Sequence, residues 1–462
     1  MRIVFCFVLV VFGFYAHSQT VSERLKTAYV NFEADSQLGA AITSLYVVDA
    51  ETGKVLFDKN SRIGLAPAST QKVITVATAY DLLGREFRYK TVLGFTGDIK
   101  DGVIKSSLFL EGTGDPTFGS WRYKNTTPGA IFSQVLSALK DSGVKTVTGP
   151  VELLNRNFDI QKIPDGWIWQ DIGQYYGAGA GSINWHENQY DIILKPGSKP
   201  GDSVRILRTV PDMQIKFQNQ LKTGARNSGD NSYLYFNLSP SNPDLQGTVP
   251  CCVDSFVISG AVANGEAFAV NEISTLLAAN KLQRQQLPIT GFKNSTTQIK
   301  PIYTHYSPPL DSIVHWLFKK SINLYAEALL KTIALNKKGF ASTPNGIEVI
   351  RSHWKTKGIN PIELNIADGS GLSPANRVTT HAEVQVLQYA KAQAWFPGYY
   401  AGFPEYNNMK MKSGTIGGVK GFCGYHKSKE GKEYIFSFLV NNYNGSSSKL
   451  VEKMYKVLDE LK

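Results

Sequence analysis

The feature that most restricts the fold is a change of pattern along the chain, with two similar ends and a dissimilar middle. Near the N-terminus, Ser44-Leu45-Tyr46-Val47-Val48 and Val55-Leu56-Phe57 flank Glu51-Thr52-Gly53, which predicts a β-hairpin over residues 43–58. A helix follows from Ser69 to Leu83, closed by Gly84. Residues 90–300 differ. Short β-like runs (Ser107-Leu108-Phe109-Leu110, Val151-Glu152-Leu153-Leu154, Tyr233-Leu234-Tyr235-Phe236) alternate with turns rich in Gly, Pro, Asn and Asp, and single helices are expected at about 128–141 and 274–283. From Leu310 the helical pattern returns, over 310–319 and 322–335, ending before Gly339. Thr380-His381-Ala382-Glu383 reads as a capping box opening a helix to about Ala394. Residues 409–443 read as a hairpin or meander with Gly-rich corners, and Val451, Met454, Val457, Leu458 and Leu461 give a last helix one apolar face. The reading is one α/β (α+β) domain made from both termini and interrupted by a β-rich insert.

The first 18 residues read as a secretory signal: Arg2, an apolar run from Ile3 to Ala16, and Ala16-His17-Ser18 with small residues at the −3 and −1 positions of a cleavage site. The run is shorter than the ~20 residues a spanning helix needs. Cys6 lies inside it, so it is no lipid-attachment site, and no later stretch is apolar enough to span a membrane. The mature chain is expected outside the cytoplasm, in the periplasm or cell envelope, with at most peripheral membrane or wall association. It keeps Cys251, Cys252 and Cys423, each expected as a small buried side chain, which excludes a disulfide framework. No Cys/His spacing fits a structural zinc site. The net charge of +11 becomes +10 without Arg2. Its scattered basic residues lack the aromatic-interleaved stripe of a nucleic-acid binder and suit an anionic cell-wall or membrane surface instead.

Three short patterns carry chemistry: Ser69-Thr70-Gln71-Lys72, Ser321-Ile322-Asn323 and Lys412-Ser413-Gly414-Thr415. A Ser and a Lys three residues apart share a helix face, and a serine at a helix N-terminus sits where backbone N–H groups favour a developing anion. Lysine acts as a base toward that serine only if burial or a second cation, such as Lys412, lowers its pKa. Ser-x-Asn in a turn between helices can aim both side chains to one side. Lys-Ser/Thr-Gly on a strand supplies a cation and a hydroxyl for a carboxylate, its glycine admits close backbone approach, and the Thr415 N–H can serve as an oxyanion donor.

Each pattern alone is weak. Ser-x-x-Lys recurs at Ser137/Lys140, Ser142/Lys145, Ser352/Lys355 and Ser446/Lys449, and a rival ordered set exists in Ser69, Ser182-Ile183-Asn184 and Lys222-Thr223-Gly224. Context favours the first set: Ser182 follows the flexible run Gly177–Gly181, and Lys222-Thr223-Gly224 opens a polar loop with no strand pattern. Ser321 joins two helical patterns, and Lys412 precedes a strong β-pair.

Together the three motifs form the set found in penicillin-binding proteins and serine β-lactamases. The chain resembles class C, type-4 penicillin-binding proteins, the D-alanyl-D-alanine carboxypeptidase/endopeptidase family (peptidase family S13), over nearly all of its mature length. The resemblance extends to Leu65–Ser69, Gly112–Pro116, Trp167–Ala178 and Asp368–Ser373, and to the 252 positions between Ser69 and Ser321. It implies a transpeptidase-like domain with an antiparallel sheet flanked by helices (19–88 and 302–462), an insert domain (89–186 and 255–301) and a second insert nested within it (187–254). It implies a serine D,D-peptidase acting on peptidoglycan stem peptides, acylated by β-lactams, with no metal or organic cofactor. Ser69 would be the nucleophile, Lys72 its base, Ser321 the proton relay, Asn323 the holder of the stem-peptide amide, and Lys412, Ser413, Gly414 and Thr415 the carboxylate and oxyanion site. Asp171 and Tyr176 would border the pocket for the side-chain amine of the stem's third residue. Relatives often carry Arg where this chain has Pro374, which removes one stem contact.

Two other functions use the same residues. A serine β-lactamase would need a deacylating carboxylate, and Glu363 falls in the right interval; the long insert favours the peptidase. A non-catalytic wall-binding module is disfavoured by the intact Ser69, Lys72, Ser321 and Lys412. His186-Glu187 lacks the second His of a zinc-protease helix and reads as a surface polar pair. The C-terminal helix reads as packed on the sheet rather than on a membrane.

Overall fold

A computed structural model describes residues 19–236, 242–283 and 298–462. The secretory-signal reading falls on residues 1–18, outside the described residues.

The two ends of the chain meet in one six-stranded antiparallel sheet. Its order is Glu405–Tyr406, Met409–Ile416, Val419–Lys427, Glu433–Asn441, Ile42–Asp49 and Val55–Lys59, so the N-terminal hairpin pairs directly with the C-terminal meander. The hairpin closes on Asp49, whose Oδ1 accepts from the N–H groups of Glu51 and Thr52, while Gly53 takes φ +72°. Side chains alternate across this sheet as the strand period requires. Leu45, Val47, Phe436 and Phe438 face a core shared with the helices Val21–Glu33 and Ser447–Leu458. Tyr46, Val48, Ile435 and Tyr425 face the opposite core, shared with Lys72–Leu83, Leu310–Lys320, Asn323–Lys338 and Thr380–Lys391. Leu450, Met454, Val457, Leu458 and Leu461 are all buried, which places the last helix on the sheet; Val451 packs at its edge.

The insert has its own core. The strands Lys300–Tyr306, Lys90–Phe95, Leu108–Gly112 and Val151–Leu153 form a mixed sheet that packs with the helices Pro128–Asp141 and Gly265–Ala279. A three-stranded sheet, Phe256–Ala261, Gln189–Lys195 and Arg205–Val210, joins strands from both sides of the boundary expected at 254/255, and the same apolar core continues beneath it.

Several sequence expectations need correction. The helix expected at 274–283 begins at Gly265, because Asn264 caps it by accepting from Ala267 N. The helix expected to be capped by Thr380 is capped by Thr379, which accepts from Ala382 N, and it ends at Lys391. Thr380 Oγ1 instead meets Ser44 Oγ at 2.7 Å in the core. Lys222–Gly224 is a short strand rather than a loop, running parallel to Thr248–Pro250. Glu187 is buried, not a surface residue: it lies in a run of three left-handed residues, His186, Glu187 and Asn188, that turns its carboxylate inward. Cys252 is exposed at φ +65°, whereas Cys251 and Cys423 are buried as expected.

The helix Asn323–Lys338 joins the two units. It is buried continuously from Asn323 to Ala334. Lys331 Nζ donates to Gln161 O and Ala180 O of the insert, at 2.7 and 2.8 Å, and Tyr325 OH donates to Glu187 Oε1 at 2.7 Å. Among the described residues no helix is long and apolar enough to cross a membrane. Leu329 lies wholly in the core of this junction, so Leu329→Ala is expected to lower stability by about 2–5 kcal/mol. Val30→Ala, on the exposed face of the first helix, should change it by less than about 0.5 kcal/mol. Denaturant unfolding monitored by tryptophan fluorescence checks both.

Candidate active site

The first motif forms where the chain enters the helix Lys72–Leu83. Ala68–Gln71 makes one tight 3-10 turn, with Ala68 at φ +48° and Ser69 part-exposed at the mouth of a cavity. Lys72 is fully buried one turn on, and its Nζ lies 2.8 Å from Ser69 Oγ. The second motif is the turn between two helices. Ser321 ends Leu310–Lys320 in the left-handed region (φ +56°), Ile322 is extended, and Asn323 starts the next helix. A left-handed serine is uncommon and carries strain. Here it points Ser321 at Lys412 and Asn323 at Lys72. The third motif lies on the strand Met409–Ile416. Lys412 Nζ donates to Ser321 Oγ at 2.9 Å and to Ser413 O at 2.6 Å. Gly414 lies against the serine turn: a β-carbon there would come within 2.5 Å of Pro67 O and 3.1 Å of Ser69 N.

The surroundings of Lys72 determine its chemistry. Besides Ser69, its Nζ contacts Asn323 Oδ1 at 2.6 Å and Ser370 O at 2.8 Å. The asparagine's orientation is fixed because its Nδ2 donates to Tyr176 O of the insert at 2.8 Å. Asn323 Oδ1 and Ser370 O can only accept. A neutral amine donating one hydrogen to each has its lone pair left for the Ser69 hydroxyl proton. Burial, reinforced by the Lys412 cation, holds Lys72 well below the ordinary lysine range; Asp368 and Glu327 oppose this more weakly. Burial also brings Lys412 down to about 7.

Ser69, Ser321, Asn323, Ser413 and Thr415 share one cavity of about 820 Å³ with Asp171 and Tyr176. Tyr176 OH donates to Asp171 Oδ1 at 3.3 Å, and burial raises the Asp171 carboxyl. Pro374 lines the same cavity, as do Arg122 and Glu187 from the insert. Thr415 Oγ1 accepts from Lys420 Nζ at 2.7 Å, a further cation that no motif announced.

The rival set does not assemble. Ser182 is buried and donates to Glu266 Oε1 at 2.6 Å, and Lys222 is exposed on its own strand; neither lines the Ser69 cavity. Glu363 is tied to Arg62, Thr379 and His381 and does not line that cavity either. Sequence reasoning missed Glu327 and Lys420, and it singled out the Asp368–Ser373 stretch without giving Asp368 or Ser370 a role. For Glu327 a signal existed, since it lies four residues after Asn323 and so on the same helix face.

Fold and site together define a serine-type acyl-transfer enzyme. Residues 30–461 match the D-Ala-D-Ala carboxypeptidase 3 (S13) family, and the chain belongs to that family of D,D-peptidases and penicillin-binding proteins. Its sequence is 27% identical over 412 residues to the D-alanyl-D-alanine carboxypeptidase DacB of Haemophilus influenzae, covering 85% of this chain and 83% of that one. It is 24% identical over 452 residues to a D-alanyl-D-alanine carboxypeptidase of an Actinomadura species, covering 90% and 81%. The crystal structure of penicillin-binding protein 4 from Haemophilus influenzae superposes with a TM-score of 0.79 at 23% identity, over 93% of this chain and 98% of that one.

The clearance at Gly414 makes a direct test. Gly414→Ala should push the strand off the Ser69 turn and lower the rate of labelling by a fluorescent penicillin by at least about 100-fold. Circular dichroism should show the variant still folded.

Proposed function

We propose that this chain removes the terminal D-alanine from peptidoglycan stem peptides, and cleaves D-alanine cross-links, through an acyl-enzyme on Ser69. The observation that carries the reading is the Lys72 amine, buried between two acceptor-only partners and 2.8 Å from Ser69 Oγ. Ser69 Oγ attacks the carbonyl of the penultimate D-alanine as its proton passes to Lys72 Nζ. The C–N bond then breaks. Ser321, whose Oγ accepts from Lys412 Nζ at 2.9 Å, passes the proton on to the leaving amine. Water attacks the ester with Lys72 again as base, releasing the shortened peptide and free Ser69. The Ser69 and Thr415 N–H groups stabilise the oxyanion, and Lys412 with the Ser413 and Thr415 hydroxyls binds the terminal carboxylate. Gly414 lets the strand lie close enough for this. Asn323 holds the stem-peptide amide, and Asp171 with Tyr176 takes the amine of the third residue. β-Lactams mimic the terminal dipeptide and acylate the same serine.

We also propose that residues 1–18 direct the chain out of the cytoplasm and that it works in the periplasm or cell envelope, where its substrate lies. The basic balance of +11 suits the anionic surface found there. The discontinuous sheet supports a catalytic unit built from both ends of the chain, with the insert running through the strand Lys300–Tyr306.

Two outcomes test this reading. Ser69→Ala should neither take up a fluorescent penicillin nor release D-alanine from a stem pentapeptide, and labelling that persists would refute it. The pH dependence has a definite sign. Lys72 must be neutral, so kcat/KM falls as pH drops through its lowered pKa. Lys412 must be charged to hold the carboxylate, so kcat/KM also falls as pH rises through about 7. Amidating the substrate's C-terminal carboxylate should remove the alkaline limb and leave the acid limb.

A further inference from the structure

The carbonyl that holds the Lys72 amine is itself held by a carboxylate outside all three motifs. Glu327 lies one helical turn beyond Asn323 and is fully buried. Its two oxygens accept from Gly369 N at 3.1 and 3.0 Å, and Oε1 also accepts from Ser370 N at 2.8 Å. The same residue, Ser370, presents its carbonyl to Lys72 Nζ at 2.8 Å. Ser370 therefore has its N–H on Glu327 and its C=O on the amine. The neighbouring carbonyl of Gly369 accepts from Thr75 Oγ1 at 2.7 Å, one turn along the Lys72 helix. Asp368 closes the loop from the other end, accepting from Gly371 N, Ser373 N, Asn376 Nδ2 and Trp167 Nε1. Gly371, at φ +82°, lies so close that a β-carbon would overlap Ala68 O beside the nucleophile.

We propose that Glu327 is a positioning residue for acylation. By fixing the Gly369 and Ser370 N–H groups it sets the Ser370 carbonyl, which turns the Lys72 amine so that its lone pair meets the Ser69 hydroxyl. The proposal rests on the reading of Lys72 as base. An apolar side chain here would leave the buried Gly369 and Ser370 N–H groups unpaired, and the carboxylate satisfies both at the cost of burying an acid. Glu327 faces Lys72 on one helix, Asp368 on the loop, and Lys331 one turn further along its own helix. Burial and Asp368 raise its carboxyl, and its hydrogen bonds from Ser370 and Gly369 together with the Lys72 cation oppose them.

Position and charge act in opposite directions, which gives the test its signature. Ionised Glu327 favours the protonated form of Lys72. Removing the charge moves the acid limb of the acylation profile to lower pH, whereas misplacing the carbonyl lowers the plateau. Penicillin acylation of the full mature chain is followed by intact mass, with the adduct mapped to Ser69, across the pH range. Glu327→Gln is expected to lower the plateau roughly 10- to 100-fold and to shift the acid limb to lower pH. Glu327→Asp keeps the charge at shorter reach and is expected to lower the plateau without shifting the limb. A folded Glu327→Gln variant with the wild-type profile overturns the proposal, as does a lowered plateau with an unmoved limb. If Glu327→Gln does not fold, a wild-type plateau in Glu327→Asp overturns it. Wild-type protein that takes up no penicillin on Ser69 overturns the peptidase reading itself.

Discussion

Lys72 is a lysine whose ammonium form is disfavoured by burial and by the neighbouring Lys412. It has no contact with solvent, a second lysine stands in the same site, and its amine meets two carbonyl-type oxygens and one hydroxyl. Those three partners come from three distant parts of the chain: the serine turn, the helix that begins at Asn323, and the loop at Ser370. Coulomb repulsion in a dry site disfavours two neighbouring ammonium groups, so one amine is driven neutral. The geometry makes Lys72 the one whose neutral form is fully hydrogen-bonded, and the alignment of Ser69, Asn323 and Lys412 follows from keeping it so.

The insert is part of this arrangement rather than an appendage. Tyr176 O fixes the asparagine amide, and Trp167 Nε1 braces Asp368 at 2.9 Å. Lys331, which burial brings down to about 8, sends two hydrogen bonds from the catalytic helix into the insert. On the other side of the serine turn, Glu383 accepts from Thr70 Oγ1 and Ser437 Oγ, each at 2.6 Å, and ties that turn to the central strand of the sheet. The Ser69 turn is thus held from two sides by buried carboxylates, Glu383 toward the sheet and Glu327 beneath the loop.

Local rules reached far in this chain. The hairpin, the Ser69–Leu83 helix with Gly84 behind it, the Ser-x-Asn turn and the C-terminal meander were legible because turn residues and apolar periodicity stand side by side in sequence. The three motifs assemble in one cavity. What stayed hidden depends on long-range contacts. The cap at Thr379 rather than Thr380 depends on Ser44 drawing the second threonine into the core. The burial of Glu187 depends on a left-handed run and on Ser120, Arg122 and Tyr325 closing around it. The strand at Lys222–Gly224 exists only because Thr248–Pro250 lies alongside. Glu327 stands on the right helix face, yet its role appears only when the Asp368–Ser373 loop folds over it.

The most direct test of the account is the ionisation of Lys72 itself, followed by NMR of lysine side chains labelled at Cε and Nζ and assigned with the Lys72→Arg variant. The Lys72 resonance is expected to titrate well below the ordinary lysine range before any substrate binds. A Lys72 that remains an ammonium ion up to the usual lysine pKa would contradict the account.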